Sequence, residues 1–220
     1  MSFIGNSANP PVFNAPPATL ALAAVLVLIF AVGRILPDEQ AMWVLSHFAL
    51  VPARIHAEFI AGTAPPTGQT ALTLIAHMFL HFDWLHVLVN AGMLLAFGSV
   101  VERVIGAPMF VLFFLACGVG GAFGQILIGG PEQVVLLGAS GGGYGVIGGA
   151  VPLMFSPALA DRTRRMLTFV AVIMGVNVVF GVFGSALFGG GASIAWQDHV
   201  GGFVTGLVLM AVLLAVKRRP

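Results

Sequence analysis

The chain has 220 residues, 59% hydrophobic and only 8% charged, with a mean hydropathy of +1.03. Soluble domains average about 25% charged residues, so this composition excludes a soluble globular domain and a chain that is disordered throughout. Nine Lys/Arg against eight Asp/Glu leave a net charge of +1, which excludes the basic patch of a nucleic-acid binder.

Residues 1–17 are polar, Pro/Asn-rich and uncharged; they read as a flexible tail preceding one membrane domain over 18–220. A spanning helix needs about 20 apolar residues. Six runs qualify or come close, over 18–36, 72–101, 108–128, 140–155, 166–188 and 194–216. The first lacks the preceding Lys/Arg of a signal peptide and reads as a retained span. Between the first two runs, 37–70 is too long for a turn and too interrupted by Pro52, Arg54, His56 and Glu58 to cross. It reads as an interfacial, partly inserted loop.

With six spans, both termini share a side with the 102–107 and 156–165 loops. That side collects Arg103, Arg162, Arg164, Arg165, Lys217, Arg218 and Arg219, against Arg34 and Arg54 opposite. The positive-inside rule therefore predicts cytoplasmic termini. Most acids, Asp198 among them, fall on the outer face.

Polar groups inside a membrane are costly and mark function by default. Three clusters qualify: Gly138-Ala139-Ser140-Gly141, His86 with Asn90, and Asp198-His199 followed by Gly201-Gly202. They open the fourth span, lie in the outer half of the second and open the sixth. These three spans run in one direction, so the clusters are predicted to meet at one depth. Ser140 at a helix start sits where unpaired N–H groups and the helix dipole would stabilise an oxyanion; it could equally be a simple N-cap. His199 is the natural base for that hydroxyl. Asp198, about 100° round the helix from His199, is predicted to cap the helix or face water, which leaves a two-residue dyad. His86 and Asn90, at i and i+4, share a helix face and could donate to the oxyanion or bond between helices. His77 and His81 read as interfacial or structural, and no metal site or cofactor is expected.

Glycine makes up 29 of the 220 residues, about twice its usual share of about 7%. Gly141, Gly145, Gly148 and Gly149 line the fourth span and Gly202-x-x-x-Gly206 the sixth. Small faces let helices approach closely, as a short serine and a histidine ring on separate helices require. Homodimerisation through the same faces is the competing use. A small transporter would show an inverted repeat, and the fourth span has no counterpart in the first.

Together these residues resemble the rhomboid family of intramembrane serine proteases. The match rests on Gly138-x-Ser140-Gly141, His86-x-x-x-Asn90, His199 with Gly201, Gly202 and Gly206, the run from His77 to His86, and Gly98 with Glu102; it covers 42–210. The resemblance implies an all-α, six-transmembrane-helix bundle with a membrane-embedded first loop over 37–70. It implies Ser140 as nucleophile, His199 as general base, and an oxyanion site from His86, Asn90 and the Ser140 N–H. It also implies that Tyr144 packs on the His199 ring, that Gly138, Gly141 and Gly202 support the site, and that 188–197 forms a mobile cap. The family's Trp-Arg pair in the first loop is missing here. The expected substrates are transmembrane proteins, and the expected setting is a bacterial inner membrane. A non-catalytic relative that binds transmembrane helices is the alternative.

Overall fold

The computed structural model describes residues 15–131, 134–155, 161–187 and 195–217. Among them the secondary structure is helical, apart from one isolated antiparallel bridge between Leu50 and Leu136. The 1–14 part of the tail, most of the 188–197 stretch, Arg218 and Arg219 lie outside the described residues.

Helix α1 (Pro17–Gly33) starts on a proline at its first position, where the missing N–H would have no partner anyway. Its next donors are met from a distance. The Glu102 carboxylate accepts from Ala18 N at 3.0 Å, Thr19 N at 2.6 Å and Thr19 Oγ1 at 2.7 Å. Glu102 is itself buried.

The 37–70 segment folds as α2 (Asp38–Phe48), α3 (Pro52–Ile55) with a π-helical turn His56–Ile60, and the start of α4 (Gly68–Ala76). Leu50 and Ile55 bury against Ala122, Ile126 and Leu136. Glu58 braces the far end by accepting from Thr67 N, Thr67 Oγ1 and Thr70 Oγ1.

The 72–101 run is not one helix. After α4 the chain makes a 3-10 turn, His77–Phe79, then leaves helical geometry until α5 (Trp84–Ile105, with a π-helical turn Leu94–Gly98). The break has two local causes. The His77 carbonyl is engaged by Leu80 N–H and by the distant Gly138 N–H. Asp83 then caps a new helix, its Oδ1 accepting from His86 N at 2.8 Å, the role that gives Asp its preference for this position.

Helices α6 (Ala107–Gly129), α7 (Ser140–Met154), α8 (Arg162–Leu187) and α9 (Trp196–Lys217) complete the described fold. Among the described residues four helical stretches are long and apolar enough to cross a membrane: Trp84–Ile105, Ala107–Gly129, Arg162–Phe183 and Trp196–Lys217. Their outer faces carry large apolar side chains such as Leu85, Leu112, Leu167 and Val208, as expected of surfaces solvated by lipid tails. The 15 residues of α7 rise only about 22 Å. It is enclosed by its neighbours instead: ten of its residues, from Gly141 to Val151, are buried.

Helix α7 meets α9 through glycine on both sides. A Cβ at Gly202 would overlap the Gly141 carbonyl, one at Gly206 the Gly145 carbonyl, and one at Gly148 the Phe203 carbonyl. The partners advance together along both chains, so the two helices are parallel. Gly138 beside His86 and Gly143 beside Met93 make α5 parallel to them as well. Helix α6 runs the other way, with Gly120 on Thr205 and Gly124 on Gly201. The glycine faces of α7 and α9 are thus packed against each other and against α6 inside this chain.

Candidate active site

The approach to Ser140 is fixed by main-chain bonds to the loop region. Leu136 N donates to Leu50 O at 2.8 Å and Leu50 N to Leu136 O at 3.2 Å. Gly138 N donates to His77 O at 3.0 Å, and Ala139 N to His81 Nε2 at 3.4 Å. His77, whose ring Nδ1 lies 2.8 Å from Thr73 O, and His81 therefore serve to hold this segment. Gly138 has φ +121°, a conformation open to glycine. A side chain there would also come within 2.6 Å of His86 Nε2. Glycine thereby admits the His86 ring to the backbone just before Ser140.

Asn90, one turn after His86, is buried beside the same glycine. Neither Oδ1 nor Nδ2 of its amide is paired among the described residues. His86 also lies edge-on to His81, with ring centroids 4.9 Å apart. A cavity of about 200 Å³, lined in part by His81, Phe82 and Leu137, opens on the α1 side of this cluster.

Ser140, half-buried, is the first residue of α7, and the ladder begins with Gly143 N donating to Ala139 O. One turn on, the Tyr144 ring stacks on His199 with centroids 4.2 Å apart and planes 8° from parallel. The structure thus brings the starts of α7 and α9 together, with His86 and Asn90 of α5 at the same end. Gly141 and Gly202 allow the approach by meeting backbone to backbone.

Asp198 does not face water. It is buried between α6 and α7, where Gly121 and Gly141 leave room for its carboxylate, and it accepts from the Gly141 N–H. Its Oδ1 has no partner among the described residues.

Sequence reasoning missed Asn177. This α8 side chain is buried; its Oδ1 lies 2.5 Å from His199 Nδ1, and its Nδ2 donates to Trp196 O at 3.2 Å. The available signal was a lone amide in an otherwise apolar run. Among the described residues no group of three His, Cys, Asp or Glu side chains could hold a metal ion.

Residues 68–216 match the family model described as Rhomboid domain. The chain is similar to RHOMBOID-like protein 4 of Arabidopsis thaliana, 30% identical over 152 residues, 67% of this chain and 35% of that protein. It is also similar to Rhomboid protease GluP of Bacillus subtilis, 29% identical over 143 residues, 64% of this chain and 25% of that one. With Rhomboid protease GlpG of Haemophilus influenzae it shares 24% identity over 191 residues, 86% of this chain and 87% of the relative. The matched segment thus spans about a third and a quarter of the first two relatives.

Proposed function

The chain belongs to the rhomboid family, and we propose that it is an intramembrane serine endopeptidase that cleaves transmembrane segments of other membrane proteins near the outer face of the bilayer. In this reading Pro17–Gly33 and Ser140–Met154 join the four longer helices as spans. Both termini lie in the cytoplasm, and the setting is a bacterial inner membrane.

Ser140 Oγ attacks the scissile carbonyl while His199 takes its proton. His199 then protonates the leaving amine, and water hydrolyses the acyl-enzyme by the same proton relay. The oxyanion is held by the Ser140 N–H and by donors from His86 and Asn90. An unpaired buried amide is costly, and a charge that exists only during turnover gives Asn90 a partner at the moment it accelerates the reaction. Loss of one such donor costs about 10²- to 10³-fold in rate.

The observation that carries the reading is the junction of α7 and α9: a serine on a helix N-terminus, and a histidine clamped by the tyrosine one turn later. The test is cleavage of a single-span substrate by the purified protein in lipid vesicles. Wild type cleaves and Ser140→Ala does not; equal cleavage by both rejects the assignment. A fluorophosphonate probe attached to Ser140 separates an enzyme from a non-catalytic helix-binding relative.

A further inference from the structure

Helix α8 is the most exposed of the long helices, with almost none of its span buried, whereas half of α6 is. Val176, Val178 and Val179 are all exposed. Between them Asn177 is 2% exposed and its amide contacts α9 at two points. We propose that Asn177 is a positioning residue for the His199 imidazole, the third member of a Ser140–His199–Asn177 array. The proposal rests on the reading of Ser140 and His199 given above.

The argument is one of donors and acceptors. A backbone carbonyl can only accept, so the contact with Trp196 O must come from the amide Nδ2, which fixes the flip of the side chain. Oδ1 is then the atom facing His199. An amide oxygen also only accepts, so Nδ1 of His199 must carry the hydrogen. A neutral imidazole has one N–H, and Nε2 is left as a bare lone pair. That is the tautomer able to take a proton from a serine hydroxyl.

Tyr144 and Asn177 restrain different motions. The stacked tyrosine fixes the plane of the ring, while a bond to Nδ1 opposes rotation within that plane. Asp198, next to His199 in sequence, cannot replace the amide, because its carboxylate is turned to the Gly141 N–H between α6 and α7. A neutral orienter also adds no charge to a site removed from water, where an unpaired carboxylate would be expensive.

The test uses the full chain in vesicles, with wild type, Asn177→Leu, Asn177→Asp and Ser140→Ala. Asn177→Leu fills similar volume without an acceptor. It is expected to lower kcat about 100-fold, within the range a positioned base contributes, with KM within about twofold and the thermal midpoint retained. Asn177→Asp keeps an acceptor on Nδ1 and recovers activity to within about tenfold of wild type. In wild type labelled with ¹⁵N-histidine, the His199 resonance, identified by its loss in His199→Ala, reports the Nδ1–H tautomer; this measurement decides the matter even if Asn177→Leu fails to fold. Wild-type kcat in Asn177→Leu, a loss carried by KM alone, or an Nε2–H tautomer overturns the proposal. Cleavage by Ser140→Ala equal to wild type marks instead a failure of the underlying protease reading, and the proposal falls with it.

Discussion

The ring of Tyr144 stacks on that of His199, their planes 8° from parallel and their centroids 4.2 Å apart. Tyr144 is one turn after Ser140, so a single helix carries both the serine and the surface against which the histidine rests. Such a stack is worth about 0.5–1.5 kcal/mol, equivalent to about a two- to tenfold bias in ring orientation. Tyr144→Phe keeps the stack and is expected to retain activity within about threefold. Tyr144→Ala is expected to lose about tenfold in kcat. Kinetics of substrate cleavage in vesicles check both, and an unaffected Tyr144→Ala rejects the role.

Gly202 and Gly206 of α9 have no room for a methyl group. At Gly202 and Gly206 the obstacle is the backbone carbonyl of Gly141 or Gly145, which cannot swing aside as a side-chain end could. Overpacking of this kind costs about 1–3 kcal/mol or more. Gly206→Ala is expected to lower the thermal midpoint in detergent. It also forces the helices apart and so reduces activity in the protein that remains folded. Gly175, where a methyl group would meet only open space, is the control: Gly175→Ala is expected to leave the midpoint unchanged or raise it, since alanine favours helix by about 1 kcal/mol.

Glu102 ties α5 to the first turn of α1 through three bonds. Hydrogen bonds to a charged group contribute about 1.5–3 kcal/mol each when a buried partner is left behind. Glu102→Ala strands two backbone donors and a hydroxyl and is expected to destabilise the protein by about 3 kcal/mol. Loosening of α1 should appear as faster proteolysis near Pro17. A midpoint unchanged from wild type contradicts the bracing role.

Glu58 lies outside the spans. The Thr70 hydroxyl, opposed by partial burial and assisted by Thr67 and the charge of Arg54, holds its carboxyl below the ordinary value of 4.5. A depressed carboxylate adds stability that is fully present above 4.5 and is lost as pH falls through the lower, folded value. The stability gap between wild type and Glu58→Gln is therefore expected at pH 7 and expected to close below pH 4.5. Thermal melts across that window check it; a gap independent of pH argues against the carboxylate.

Much of this arrangement is legible in the sequence because alternation does the work. Spans that succeed one another reverse direction, so the helices of His86, Ser140 and His199 run in parallel and their polar ends coincide. The break after His77 is hidden from hydropathy, because Leu80 and Phe82 are apolar and the bond that holds the turn comes from Gly138. Asp198 reads as a helix cap or a water-facing group from its own helix alone; the space for it is made by Gly121 and Gly141 on two other helices. Asn177 announces an inward-facing position, but its partner depends on the rotation of α8, and an apolar run of nearly even composition does not fix that rotation.

The order of these elements along the chain also sets when the proposed site can be assembled. His199 is carried by the helix that follows all the others described, and its setting needs α7 already in place beside it. During synthesis, a chain whose α9 has not yet emerged has Ser140 but not the histidine proposed as its base. Until that helix is in place, the half-built protein lacks the Ser140–His199 pair on which the proposed activity depends.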